Sequence, residues 1–67
     1  MANVGDRFKT GTLCETSGSY VFDGYTDGTS TPAPTAEERV EPMTKGRTFP
    51  PIRSQNKGAW WKLQRIG

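Results

Sequence analysis

Arg53, Lys57, Trp60 and Lys62 fall close together near the carboxyl end of the chain. Cations beside an indole suit an anionic partner, because the charges attract at long range and the ring offers stacking area. The wider charge pattern points the same way. All seven acidic residues lie at or before Glu41, while Thr44 to Gly67 also holds Lys45, Arg47 and Arg65. A folded chain can lay its acidic part against its basic part, so a distant partner feels the net charge of +2. Trp60 has two readings: an exposed indole ready to stack on a base or sugar, or a ring packed against a neighbouring loop or lysine stem.

Other chemistries find little support. Histidine is absent, which removes the commonest general base at neutral pH and the commonest metal ligand. The single cysteine, Cys14, cannot form an intramolecular disulfide or a thiolate metal framework. Beside Leu13 and Glu15 it reads as a structural side chain. Glu37, Glu38 and Glu41 are the densest carboxylates, but acid–base work needs such groups in a desolvating cleft, and their Pro, Ala and Thr neighbours predict a solvated face. Asp23-Gly24 and Asp27-Gly28 read as tight turns, and Lys45-Gly46-Arg47 as a turn between strands. No phosphate-cradling glycine motif occurs. The expectation is a non-enzymatic protein with no metal and no cofactor.

The elements that must position the basic aromatic residues are short. At 67 residues the chain is one domain, 1–67, able to bury only about 60% of its unfolded surface. Gly and Pro interrupt it too often for a long helical period. Runs bounded by turn residues predict strands over Thr12 to Glu15, Ser19 to Tyr25, Arg39 to Thr44 and Ala59 to Ile66. Alternation in the last puts Trp61 and Leu63 on one face, toward the core, and Trp60, Lys62 and Gln64 on the other. Residues 26–36 contain no large apolar side chain and read as a mobile loop. Thr35 and Glu38 match a capping box, yet Pro42 follows closely, so direct passage from loop to strand is expected. Phe49-Pro50-Pro51-Ile52 lacks two N–H donors and reads as a rigid spacer or sheet edge. The predicted fold class is all-β: a small antiparallel sheet or partly open barrel of four to five strands. Phe8, Leu13, Tyr20, Phe22, Val40, Phe49, Trp61 and Leu63 are its expected core.

The order Phe8-Lys9-Thr10-Gly11, Ser17-Gly18-Ser19-Tyr20, Asp23-Gly24, then Lys45-Gly46-Arg47-Thr48-Phe49-Pro50-Pro51 and a closing aromatic strand resembles small bacterial proteins of the YjzC-like type. The resemblance runs from Phe8 to Leu63 and implies a compact, mostly β protein without a well-established biochemical role. Some similar sequences place a C-x-x-C pair directly after F-P-P; here those positions are Ile52 and Gln55, so no metal site is carried across.

The amino terminus lacks the basic and apolar segments of a secretory signal, and nowhere do ~18 apolar residues run together. A cytoplasmic monomer with no membrane contact is therefore expected. The functional expectation is a non-catalytic binding or accessory module. It would meet a protein partner bearing an acidic patch through Arg53, Lys57, Trp60 and Lys62. The alternative is single-stranded nucleic-acid binding through the same residues.

Overall fold

Two eight-residue strands form the backbone of the molecule, whose computed structural model describes residues 2–67. In chain order the elements are β1 (Arg7–Lys9), β2 (Gly18–Tyr25), α1 (Ala36–Arg39), β3 (Val40–Met43) and β4 (Ala59–Ile66). They build one antiparallel sheet in the order β1-β4-β2-β3. The edge strands β1 and β3 do not pair with each other, so the sheet is open and the fold is small and all-β.

One face of this sheet is covered by the chain's own loops. Trp61 of β4 lies opposite both Phe8 of β1 and Phe22 of β2, which places the three rings on the covered side. Tyr20, Tyr25, Met43, Phe49, Ile52, Ala59, Trp61, Leu63 and Cys14 form the buried core, with Phe8 and Phe22 half-buried against it. Phe49 is its aromatic hub, stacked on Phe8 at 5.5 Å between centroids and edge-on to Tyr20 at 4.8 Å. Edge and offset arrangements of this kind suit the ring quadrupoles.

Phe49-Pro50-Pro51-Ile52 crosses the covered face as a rigid strap. Having no N–H groups of their own, the prolines are tied down through the Pro50 carbonyl. It accepts from the Trp61 indole at 3.0 Å and from the Thr10 hydroxyl at 2.9 Å. Ile52 closes a bulged turn by exchanging backbone bonds with Lys57.

Four expectations are corrected. Thr12 to Glu15 is not a strand: Leu13 makes a single bridge to Thr48, flanked by bonds from Cys14 N–H to Arg47 and from Gly46 N–H to Cys14. Alternation in this ribbon buries Cys14 and leaves Leu13 58% exposed, outside the core. Val40 is also outside, 44% exposed, because its register partner Val21 pairs with Lys62 on the uncovered face. Between the loop and β3 the chain makes the helical turn α1 instead of passing directly into the strand. The Glu38 carboxylate accepts from the Thr35 N–H and hydroxyl, holding the first turn together.

Residues 26–35 carry no regular structure but are tethered at several points. Asp27 accepts from the Thr29 N–H and hydroxyl, the Tyr25 hydroxyl donates to the Pro32 carbonyl, and Pro34 is buried.

Candidate interaction face

The pairing of β1 with β4 sets Arg7 opposite Lys62 and Lys9 opposite Trp60. Successive strand residues point to opposite sides. Because Phe8 and Trp61 face the core, Arg7, Lys9, Trp60 and Lys62 share the uncovered face. The Arg7 guanidinium carbon lies 4.6 Å from the Trp60 ring centroid and the Lys9 ammonium 5.7 Å from it. Both are within cation–π range. The indole is half-buried under these side chains, which agrees with a ring packed against a lysine stem.

Charge on this face is only partly compensated. Arg7 binds Asp23, Nε to Oδ2 at 2.7 Å, and also donates to the Asp23 carbonyl. Among the described residues neither Lys9 nor Lys62 has a carboxylate within ion-pair distance, and both side chains are exposed. The result is a small cationic plateau whose two free ammonium groups stand on adjacent strands around an indole.

The structure brings together only two of the four residues expected to bind. Trp60 and Lys62 are on the plateau. Lys57 is occupied elsewhere: its ammonium pairs with Asp27 at 3.2 Å and lies 5.1 Å from the Tyr25 ring centroid. The Thr29 hydroxyl and N–H hold the Asp27 carboxyl well below the usual range, at about 2, and Lys57 adds to the effect. Arg53 lines a groove together with Trp61, the β4 residue that faces the covered side. Arg7 and Lys9, which sequence reasoning passed over, complete the face. Their signal was the polar–apolar–polar alternation of Arg7-Phe8-Lys9, three residues long and too short to read as a strand alone.

The groove has a volume of about 300 Å³. Met43, Ile52 and Trp61, the cations Arg47 and Arg53, and the carboxylates Glu37, Glu38 and Glu41 are among its lining. Glu38 is not merely solvated. It also accepts from the Ser54 N–H at 3.1 Å and hydroxyl at 2.6 Å, joining α1 to the turn after the proline strap. Led by the Ser54 bonds, these contacts hold its carboxyl down at about 2.

Cys14 is buried, with its thiol against the Thr16 carbonyl at 3.1 Å and the Tyr20 hydroxyl at 3.7 Å. Burial pushes the Tyr20 phenol well above its ordinary value, with the Cys14 contact adding to the rise. No group of three or more metal-ligating side chains occurs among the described residues, and no helix there is long and apolar enough to cross a membrane.

The short motifs along the chain are taken up by structural work. Ser17 accepts from the Lys45 N–H at 2.9 Å, and Gly18 lets β4 approach so closely that a Cβ would meet the Arg65 carbonyl oxygen at 2.2 Å. Tyr20 donates to the Thr16 carbonyl at 2.6 Å. Gly46 turns at φ 98°, a conformation that disfavours side chains. A family model described as YjzC-like protein matches residues 3–63. No curated protein and no solved structure matches the chain.

Proposed function

The chain belongs to the YjzC-like protein family, and on that footing we propose that it is a non-catalytic binding module. Its uncovered sheet face docks on an acidic surface of a protein partner. The observation that carries this reading is the plateau itself: Lys9 and Lys62, exposed and without a carboxylate partner, around an indole already dressed by Arg7 and Lys9. Cations held against a ring on two hydrogen-bonded strands lose little freedom on binding, and such preorganisation favours affinity. The module acts as a cytoplasmic monomer.

Single-stranded nucleic acid is the competing ligand for the same face. A base would have to displace Arg7 or Lys9 before stacking on Trp60, which weighs against it. Titration of isotope-labelled protein with a poly-glutamate peptide and, separately, with an oligonucleotide decides between them. The proposal expects the acidic peptide to move the Trp60 indole signal and the β1 and β4 amides, and expects Lys9→Glu with Lys62→Glu to abolish the effect. Quenching of Trp60 by the oligonucleotide, with a log–log salt slope of about −3 for roughly four phosphate contacts, would replace the proposal with the nucleic-acid reading. Silence with both probes would overturn both.

A further inference from the structure

We infer that the partner segment docking on the uncovered face is acidic and aliphatic together: an aliphatic side chain flanked by carboxylates. The inference rests on the plateau reading proposed above and names the chemistry that the plateau selects.

Strand register extends the plateau beyond β1 and β4. Val40 of β3 pairs with Val21 of β2, Val21 pairs with Lys62 of β4, and Lys62 pairs with Arg7 of β1. Side chains of residues paired across strands meet on one face, so these residues form a single row over the whole sheet. With about 4.8 Å between neighbouring strands the row spans roughly 14 Å. Its β3 and β2 half is aliphatic, and its β4 and β1 half is cationic. A neighbouring row repeats the order: Ser19 pairs with Pro42 on one side and with Arg65 on the other. The register shift between Ser19 and Tyr20 is what brings Arg65 to this face; unbroken alternation would send it inward with Trp61 and Leu63. Val40, Pro42 and Arg65 are exposed and Val21 is half-buried, so both rows are open to a ligand.

Charge sets the sign of the occupant. Arg65 joins Lys9 and Lys62 as a cation with no carboxylate in ion-pair distance among the described residues. Two carboxylates lie in the strands. Asp23 is held by Arg7, while Glu41 pairs with buried Tyr20 and lines the groove behind the sheet. Neither is left to neutralise the face. A segment bearing carboxylates alone would satisfy the cationic half and lay charged groups over Val21 and Val40. An aliphatic side chain between the carboxylates removes that apolar surface from water. An anionic membrane offers the same combination, but the face is poorly shaped for one. Valine and proline are short, and the Trp60 indole, the side chain suited to a lipid interface, is packed under Arg7 and Lys9.

Two capped pentapeptides test the inference, each with a pair of Glu on either side of a central residue, Leu in one and Gln in the other. Both are expected to move the Trp60 indole signal. The Leu peptide alone is expected to shift the methyl signals of Val21 and Val40, and to bind about fivefold or more tightly than the Gln peptide. Val21→Thr with Val40→Thr keeps the branched shape and is expected to bring the Leu peptide down to the affinity of the Gln peptide, leaving the latter unchanged. Arg65→Gln is expected to weaken both peptides several-fold. Near-ultraviolet circular dichroism verifies that each variant is folded, and the comparison of peptides on the unaltered protein needs no variant. Equal affinity of the two peptides, or valine methyls that stay still while Trp60 responds, would overturn this inference and leave the plateau standing. Silence with both peptides would overturn the plateau reading and the inference together. Binding to vesicles of phosphatidylglycerol with no response to either peptide would overturn them in favour of a membrane surface.

Discussion

Thr10 shows how much a single hydroxyl carries in a chain this small. It donates to the Pro50 carbonyl at 2.9 Å and accepts from the Ala59 N–H at 2.8 Å, joining the turn after β1, the proline strap and the start of β4. Thr10→Val keeps the shape and removes both bonds, leaving the N–H of fully buried Ala59 unpaired. A loss of about 1–3 kcal/mol is expected. Against a net stability of about 3–5 kcal/mol for a domain of this size, this is a large fraction, read as a lower urea midpoint at constant m-value. Glu38 gives a pH prediction. Its carboxyl sits at about 2 when folded, against an ordinary 4.5. As pH falls, the unfolded chain takes up the proton first. The stabilisation is therefore complete above about 4.5 and is lost as pH drops through about 2. Ser54→Ala removes the largest cause, and carbon-detected titration of the Glu38 carboxyl should then show its midpoint moving up toward the ordinary value. Tyr20 titrates in the opposite sense. Its stabilising effect is complete below about 10 and fades as pH rises beyond, so alkaline unfolding should begin there and be visible in phenol absorbance.

At the level of elements, β2 and β4 were legible because each is long enough to show its pattern. Trp61 and Leu63 alternate with Trp60 and Lys62 in β4, and both ends are bounded by turn residues. β1 was hidden because three residues cannot establish a period, and it exists by virtue of its pairing with β4. Leu13 was misplaced for a related reason: in a ribbon with one bridge, the inward position is decided by the partner, and the partner Thr48 turns Cys14 inward. The short α1 was expected to lose to Pro42. Pro42 instead lies in edge strand β3, four residues into the run that begins at Arg39, and the turn before it is held by the Glu38 bonds. Gly18 is the element-scale weak point. Its replacement by Ala would place a Cβ 2.2 Å from the Arg65 carbonyl oxygen, backbone that cannot swing away like a flexible side chain. β2 and β4 would have to separate at the irregular register between Ser19 and Tyr20. Overpacking typically costs about 1–3 kcal/mol, so Gly18→Ala is expected to broaden or abolish the cooperative thermal transition, with hydrogen exchange accelerating first at β4.

The whole molecule presents two unlike sides, each with its own tryptophan. The plateau is cationic, and binding of an acidic partner there should weaken as salt shortens the Debye length, about 10 Å at 0.1 M. Lys62→Glu is expected to reduce such binding several-fold with little change in stability, because the side chain is exposed and unpaired; calorimetric titration at two ionic strengths checks both the loss and the salt dependence. The groove on the other side carries both signs, with Arg47 and Arg53 and with Glu37, Glu38 and Glu41 among its lining. By itself the sequence determined the all-β class, the inward Trp61 and the outward Lys62, because alternation along one strand is a local property of the backbone. It also determined which chemistries the residue types leave open. Only the tertiary structure decided that Arg7 and Lys9 join Trp60 while Arg53 goes to the other side and Lys57 is taken by Asp27. Those placements depend on strand register and on loops that cross the sheet, and residues far apart in the chain become neighbours only when the hydrogen-bonded ladder and the proline strap set them there.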